Sequence, residues 1–436
     1  MSSHPQFTLG EWRSRTLPVE ELTPSERQFA RRLDDEASRR LTVEELRDGV
    51  RVETYAHVGV VEFEQFTVCI EPKLVGGRRL LPRMIDYAAG IDDLVRYPDK
   101  WESLTDGSNL LEVLALVYVQ RCEEILRRGL VADYVEFEET LPAVRGRILP
   151  RRQVTRQFGR VDKIECRYDE RVRDVWENRL LAAGLGVCRH LLADGPVRHR
   201  IRRAHRTFTD CCSRRALDVE RIRDRRVYHR MNEHYRDAHE LALILIDGAG
   251  IDDIHRTGST AVESFLLNMN DLFEHFLERL YRDRFSEHNL QVQSQYRQTA
   301  AVYDRQTGDS YKEIRPDLLL QNPLTGHRLP VDAKYKRYDD KPVSSGDIYQ
   351  LSAYAQALSR PDGPHPSAAL LYPSRKPRRQ QLGLRAMDGH AVAHIDIYGI
   401  PLRDTLEAIS GERPANSLKL DEFLPVPDSH ISADRE

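Results

Sequence analysis

The chain has no apolar stretch long enough to cross a bilayer. Its longest runs, at 113–119 and 241–246, fall far short of the roughly 20 residues that a spanning helix needs. Residues 1–10 hold no basic segment followed by an apolar one, so no secretory leader is expected, and the protein is read as cytoplasmic without a membrane partner. Cysteine is scarce and scattered. The six thiols at 69, 122, 166, 188, 211 and 212 form no CxxC pair and no Cys/His cluster at zinc spacing, which argues against a disulfide framework or a structural zinc. A GxxxxGK[ST] phosphate loop is missing too, so unaided nucleotide hydrolysis is not expected. Neither sign of charge dominates, since 66 Lys+Arg against 69 Asp+Glu leave a net of −3.

What is present describes a water-soluble globular chain. It has 436 residues, 40% hydrophobic and 31% charged, with a mean hydropathy of −0.57, long enough for two or three domains with buried cores. The small net charge conceals an asymmetry. Residues 141–230 carry 24 Lys+Arg against 11 Asp+Glu, a net of +13, which leaves −16 for the rest. Within 141–161 stand Arg145, Arg147, Arg151, Arg152, Arg156 and Arg160 with no acid between them. Such a run is the electrostatic footprint of a DNA-backbone contact. It equally suits the acidic surface of a partner, or a solvated face in a chain where arginine dominates lysine.

Periodicity predicts β structure over 51–74, stopped by Pro72 and Gly76–Gly77, and a buried helix over 110–128 closed by Gly129. Helices are expected over 172–190, along the arginine-rich stretch to 228, and over 235–246, with a turn at 247–250. Beyond 260 helices and strands alternate, the grammar of an α/β domain. A long helix over 262–285 carries Phe265, Met269, Leu272, Phe273, Phe276 and Leu280 on one broad face. Strands are expected over 290–303, 314–320, 328–334 and 368–372, with a helix over 345–358. The expected fold class is therefore multidomain α/β (α+β): a β-rich region over 1–100, a mostly helical, arginine-rich region over 101–260, an α/β domain over 261–400, and a tail over 401–436.

The sharpest chemical signal is Pro316-Asp317, then fourteen residues, then Asp332-Ala333-Lys334. Residues two apart on a strand share a face, so Asp332 and Lys334 project together while Asp317 reaches the same edge from the preceding strand. Two carboxylates and an ammonium then converge. That set suits Mg²⁺, which takes one or two carboxylates plus water and substrate phosphate. The lysine can orient or help deprotonate an attacking water and offset charge on a scissile phosphate. The arrangement resembles the PD-(D/E)xK nuclease motif, here with a turn at 322–326 between its halves and a long amphipathic helix before it. Downstream, Gln350 and Tyr354 stand one helical turn apart, with Asp347 near the same face. They are similar to the QxxxY element of RecB-like nucleases, where it helps position DNA or the catalytic centre. Glu274, on the flank of the 262–285 helix, is a candidate for the further acidic residue that nuclease cores often draw from their first helix.

Further phrases widen the resemblance. Ile70-Glu-Pro-Lys-Leu74, Arg128-Gly-Leu130 leading to Tyr134, and Val144-Arg-Gly-Arg-Ile148 are followed by Cys166-Arg-Tyr-Asp-Glu170, Glu177-Asn-Arg-Leu-Leu181 and Asn268-Met-Asn-Asp-Leu-Phe-Glu274. In this order, over about 50–360, they resemble the McrC subunit of McrBC-type modification-dependent restriction systems. The resemblance implies a DNA endonuclease subunit working with a hexameric AAA+ GTPase, McrB, that reads modified cytosine. McrC then stimulates GTP hydrolysis through its N-terminal region and cuts DNA with its C-terminal domain. It carries Asp317, Asp332 and Lys334, with Gln350 and Tyr354, onto the catalytic site, and Mg²⁺ as cofactor. Two other readings are open: a free-standing RecB-like DNA nuclease, and a non-catalytic GTPase-activating adaptor.

Overall fold

The computed structural model describes residues 5–19, 21–35, 39–72, 80–91, 108–160, 162–212, 217–250, 263–285, 290–294, 296–336, 338–359, 365–409 and 424–427. The expected stop at Gly76–Gly77 and most of the 401–436 tail lie outside them. The chain divides into two compact units, 1–109 with 260–436, and 110–259. Residues 1–109 and 260–436, assigned to separate regions on sequence grounds, thus cluster together.

In the first unit, β1 (Gln6–Gly10) runs parallel to β6 (Thr67–Glu71), and β5 (His57–Glu62) lies antiparallel to β6. A second sheet has the order β2 (Ser14–Leu17), β4 (Gly49–Thr54), β3 (Leu41–Leu46). Helix α1 (Pro24–Leu33) starts from a capping box between Thr23 and Glu26, with Pro24 preset for the first turn. Its Phe29 and Leu33 enter a core with Leu17, Val52, Phe66, Ile70 and Leu266.

Leu266 is instructive, because the sequence places it on a helix. Residues Glu263–Asn268 instead form β10, antiparallel to β5, and α9 begins only at Met269 (Met269–Phe285). A short apolar run fits either period; pairing with β5 decides it. Gly59 makes the approach possible: its φ is 148°, and a Cβ there would sit 1.9 Å from the Phe265 carbonyl oxygen. At the junction, Asn268 accepts from Asn270 N at 3.0 Å and donates to Asp271 at 2.9 Å. Helix α2 (Leu80–Ala89) meets α9 through Tyr87 and Phe276, ring centroids 5.5 Å apart.

The largest sheet runs β11 (Gln291–Ser294), β14 (Leu318–Gln321), β15 (Arg328–Ala333), β16 (Ser367–Ser374), β18 (Ala391–Pro401), β17 (Arg378–Arg385). Strands β15, β16 and β18 are mutually parallel, so their C-terminal ends share one edge. Helix α10 (Ser345–Leu358) packs Leu351 and Ala355 on Ala368, Leu370, Ala393 and Ile395. A two-stranded ribbon, β12 (Gln298–Tyr303) with β13 (Ser310–Ile314), precedes β14. Helix α11 (Leu402–Ile409) follows β18.

The second unit pairs helices α3 (Ser108–Arg128), α5 (Trp176–Leu191), α6 (Pro196–Thr209), α7 (Val219–Arg225) and α8 (Arg236–Ala249) with a sheet that a mostly helical expectation omits. In that sheet β7 (Asp133–Leu141) and β8 (Arg147–Ile148) flank β9 (Ile164–Val172), and α4 (Pro150–Arg156) lies between β8 and β9 in sequence. Almost every β7 side chain is exposed, so the buried and exposed alternation that marks a strand is absent. All six cysteines are free thiols, with 69, 122, 166 and 188 buried.

Two glycines break the apolar pattern of α5 for different reasons. At Gly184 a Cβ would meet the Tyr118 hydroxyl at 2.6 Å and Ala242 Cβ at 3.1 Å, whereas at Gly186 the nearest atom, His205 Nε2, is 3.5 Å away. Gly184→Ala should therefore destabilise the protein by about 1–3 kcal/mol through overpacking. Gly186→Ala should stabilise it by about 0.5–1 kcal/mol through helix propensity; denaturant titration of both variants checks the opposite signs. Buried His239 lies 3.0 Å from the Glu177 carbonyl through Nε2 and 3.1 Å from the Tyr228 hydroxyl through Nδ1. The carbonyl requires the proton on Nε2, so Nδ1 accepts from tyrosine. Burial foremost pushes the imidazole down to about 3, from an ordinary 6.5. The unfolded chain takes up a proton below 6.5 and the folded one does not, so this stability is complete above 6.5 and is lost as pH falls towards 3. His239→Gln should flatten the acid limb of stability by about 1.4 kcal/mol per pH unit, measured by unfolding between those limits.

Candidate active site

Strands β14 and β15 are the two arms of a hairpin whose last pair is Leu318 with Val331. One further step of that antiparallel register sets residue 317 opposite residue 332, on the same face. This is why fourteen intervening residues suit the motif: they are the two arms and the turn, closed by Asn322 N to His327 O at 2.9 Å. Asp317 Oδ2 accepts from Ala333 N at 2.7 Å, which locks the carboxylate across the hairpin. A charge-assisted bond of this type is worth about 1.5–3 kcal/mol. Lys334, just past β15, is held by its own amide donating to Leu371 O of β16 at 2.8 Å. Its Nζ lies 2.7 Å from Asp332 Oδ2.

The electrostatics follow from burial. Asp332 is 1% exposed. Burial foremost, then the Asp332 charge, raises Asp317 to about 7 against the opposing pull of the Ala333 amide. Asp332 is also raised, by burial first, with Lys334 working in the other direction. Half-buried Glu274 on α9 is raised to about 9 by burial and by the charges of Asp317, Asp271 and Asp332. Burial disfavours the Lys334 ammonium, yet Asp332, Asp317 and Asp347 carry its pKa above the ordinary lysine value. The lysine is accordingly a cation at neutral pH, and crowded carboxyls surround it.

This crowd is short of positive charge. Asp332 Oδ2 is enclosed and has no aligned hydrogen-bond donor, because the 2.7 Å Lys334 contact is an ion pair outside hydrogen-bond geometry. Among the described residues no three His, Cys, Asp or Glu side chains form a ready-made metal cage. Asp317 and Asp332 are the donors that fit: two oxygen ligands on one edge suit a hard divalent ion that keeps its waters and takes substrate phosphate. Glu274 stands within electrostatic reach as a third carboxyl.

Gln350 and Tyr354 join the same neighbourhood from α10. Gln350 Nε2 donates to the Tyr354 hydroxyl at 2.7 Å, and that hydroxyl donates to Arg315 O at 3.0 Å. The pair therefore grips the backbone two residues before Asp317. Sequence reasoning passed over Lys336, Tyr338 and Ser344, which all donate to buried Asp347, with Lys336 Nζ at 3.1 and 3.2 Å and Ser344 Oγ at 2.6 Å. Burial favours protonation of Asp347, but these bonds outweigh it and hold the carboxyl below the usual range. The available signal was parity, since Lys336 continues the alternation of Asp332 and Lys334.

The arginine run lies in the second unit. Arg147 is on β8, and Arg151, Arg152 and Arg156 are on α4. Several of its charges are matched locally: Arg145 pairs with Glu170 at 3.3 Å and covers the Tyr168 ring at 4.0 Å, Arg152 pairs with Glu138, and Arg160 with Asp162 at 3.2 Å.

Among known proteins, a family model described as McrBC 5-methylcytosine restriction system component matches residues 52–373. No curated protein matches. Among solved structures, the chain is similar to the refined half-complex from the tetradecameric assembly of Thermococcus gammatolerans McrB AAA+ hexamers with bound McrC. The identity is 17% over 94% of this chain and 100% of that one, with a TM-score of 0.49. The cryo-EM structure of the Thermococcus gammatolerans McrBC complex is similar at 18% identity over 63% of this chain and 86% of that one, with a TM-score of 0.44. The family match spans well over half the sequence and includes the Asp317, Asp332 and Lys334 site, and on that basis the chain belongs to the family of McrBC 5-methylcytosine restriction system components.

Proposed function

We propose that this chain is the DNA-cleaving subunit of a McrBC-type restriction system that defends the cytoplasm against phage. It hydrolyses phosphodiesters with Mg²⁺ and stimulates a hexameric McrB-type AAA+ GTPase that selects modified-cytosine DNA. The observation that carries the reading is the convergence of Asp317, Asp332 and Lys334 on one sheet edge. Family membership supports the biological setting.

Asp317 and Asp332 would hold Mg²⁺, with Glu274 as a neighbouring carboxyl. When bound, the ion supplies positive charge at the scissile phosphate and makes the attacking water more acidic. Lys334, kept protonated by its carboxylate neighbours, is better suited to orienting that water and offsetting phosphate charge than to taking its proton. The water oxygen forms a bond to phosphorus, one P–O ester bond breaks, and the departing oxygen gains a proton. Tyr354 and Gln350 act through the Arg315 carbonyl, keeping Asp317 in register with Asp332.

Asp332→Ala should abolish cleavage of modified DNA in the presence of partner, GTP and Mg²⁺, while complex formation and GTPase stimulation persist. Retained cutting refutes the site, and loss of GTPase stimulation together with cutting refutes the division of roles. Tyr354→Phe keeps the ring but removes the bond to Arg315. It should lower the single-turnover cleavage rate about 10-fold or more, the scale expected of a small misplacement of a catalytic group, with little change in thermal stability. A wild-type rate would show that the tyrosine does not position Asp317.

A further inference from the structure

The parallel strands β15, β16 and β18 end at one edge, where open sheets of this kind take their ligands. The catalytic trio occupies the end of β15. At the end of β16, one strand away, the chain turns at 375–377 and enters β17, and residues 375–379 read Arg-Lys-Pro-Arg-Arg, four cations in five residues with no acid. All five are exposed.

The turn is built, not loose. Asp339, in the segment that leaves the catalytic lysine, accepts from Ser374 Oγ at 2.6 Å and from Arg375 N at 2.9 Å, while its carbonyl accepts from Arg378 Nη1 at 3.0 Å. Ser374 is 8% exposed, and Arg379 rests 5.3 Å from the Tyr398 ring centroid. The cations are therefore clipped to the chain that carries Lys334. Two of the four side chains carry long ion pairs, Arg375 with Asp340 at 3.6 Å and Arg378 with Asp339 at 3.9 Å, with the arginines 72% and 57% exposed, and such surface pairs contribute little. Ser374 ends β16 three residues and about 10 Å past Leu371, the partner of Ala333, and Arg375 follows it, while Arg378 and Arg379 open β17, three strands and roughly 15 Å from β15.

We propose that the β16–β17 turn and the start of β17, through Arg375, Lys376, Arg378 and Arg379, are a binding site for the sugar-phosphate backbone of the substrate DNA. It seats phosphates a few nucleotides from the bond that the trio cuts. This inference rests on the nuclease reading, and it moves the main backbone contact from the 145–160 run to the catalytic sheet edge. Phosphate contacts of this kind set register and orientation without reading sequence.

The test is fluorescence anisotropy of the full chain with a short labelled DNA duplex, with Ca²⁺ replacing Mg²⁺ so that no strand is cut, across a salt series. Arg375→Ala with Lys376→Ala, both exposed and outside the core, should weaken binding about 10-fold and reduce the salt dependence by about two phosphate contacts. Arg375→Lys with Lys376→Arg should restore both, and Arg151→Ala with Arg156→Ala should change neither. Unaltered affinity and salt slope in the alanine turn variant overturn the proposal. So does a loss found only in the 151/156 variant, or an unmodified chain that does not bind duplex. A turn variant that binds normally while Asp332→Ala is inert in cleavage removes this inference alone. Cutting by Asp332→Ala removes the nuclease reading and leaves the binding result standing.

Discussion

Three carboxyl groups forced together inside a folded edge are the constraint from which the rest of this site follows. Asp317 and Asp332 oppose each other across the β14–β15 hairpin, and Glu274 adds a third carboxyl from α9; burial foremost raises all three, joined by the Asp332 charge at Asp317, by Asp317, Asp271 and Asp332 at Glu274, and by Asp347 at Asp332. One ammonium, Lys334, offsets only part of that excess, and it is itself held in its cationic form by the acids around it. An arrangement that stores uncompensated negative charge is costly to stability. In the proposed reading, a divalent ion and a phosphodiester would complete the charge balance.

Holding that arrangement requires the surrounding structure to determine it from several sides. The Ala333 amide fixes Asp317, the Leu371 carbonyl fixes the Lys334 backbone, and the Gln350–Tyr354 pair fixes the chain at Arg315. Each support comes from a different strand or helix, and each is a short-range hydrogen bond. Asp347 serves the same end with a different balance, since its bonds from Lys336, Tyr338 and Ser344 keep it ionised near Asp317 and Asp332. The Tyr335 hydroxyl, between the two lysines, donates to buried Glu11 at 3.4 Å, which ties the end of β1 to the same edge.

Positive charge is divided between the two units in different states. In the 145–160 run, Glu138, Glu170 and Asp162 already face Arg152, Arg145 and Arg160, because β7, β9 and the segment before β9 contribute acids beside the arginines. In the turn after β16 Asp339 shapes the backbone, and the ion pairs are longer, Arg375 with Asp340 at 3.6 Å and Arg378 with Asp339 at 3.9 Å. A count of charges along the sequence ranks the first segment higher. The disposition of their partners ranks the second as the better surface for phosphate.

Much of this protein was legible without coordinates where the signal is local. The helix expected over 345–358 forms at those residues, and the Pro316-Asp317 to Asp332-Ala333-Lys334 spacing encodes a hairpin with its polar groups at the open end. The Gln350 and Tyr354 spacing likewise implies a shared helix face. Elements whose identity depends on a distant partner were not legible in this way. Residues 263–268 are a strand because β5 pairs with them and Gly59 admits their carbonyl, although their side chains suit a helix equally well. The β7 strand has exposed side chains on both faces and therefore no periodic mark. The amino-acid sequence by itself determined which chemical groups were available and which neighbours would share a face, because those properties follow from covalent spacing and backbone period. Only the tertiary structure decided which charges are buried, which are already paired and which carbonyl the tyrosine holds, because solvation and hydrogen bonding depend on what the fold brings from far along the chain.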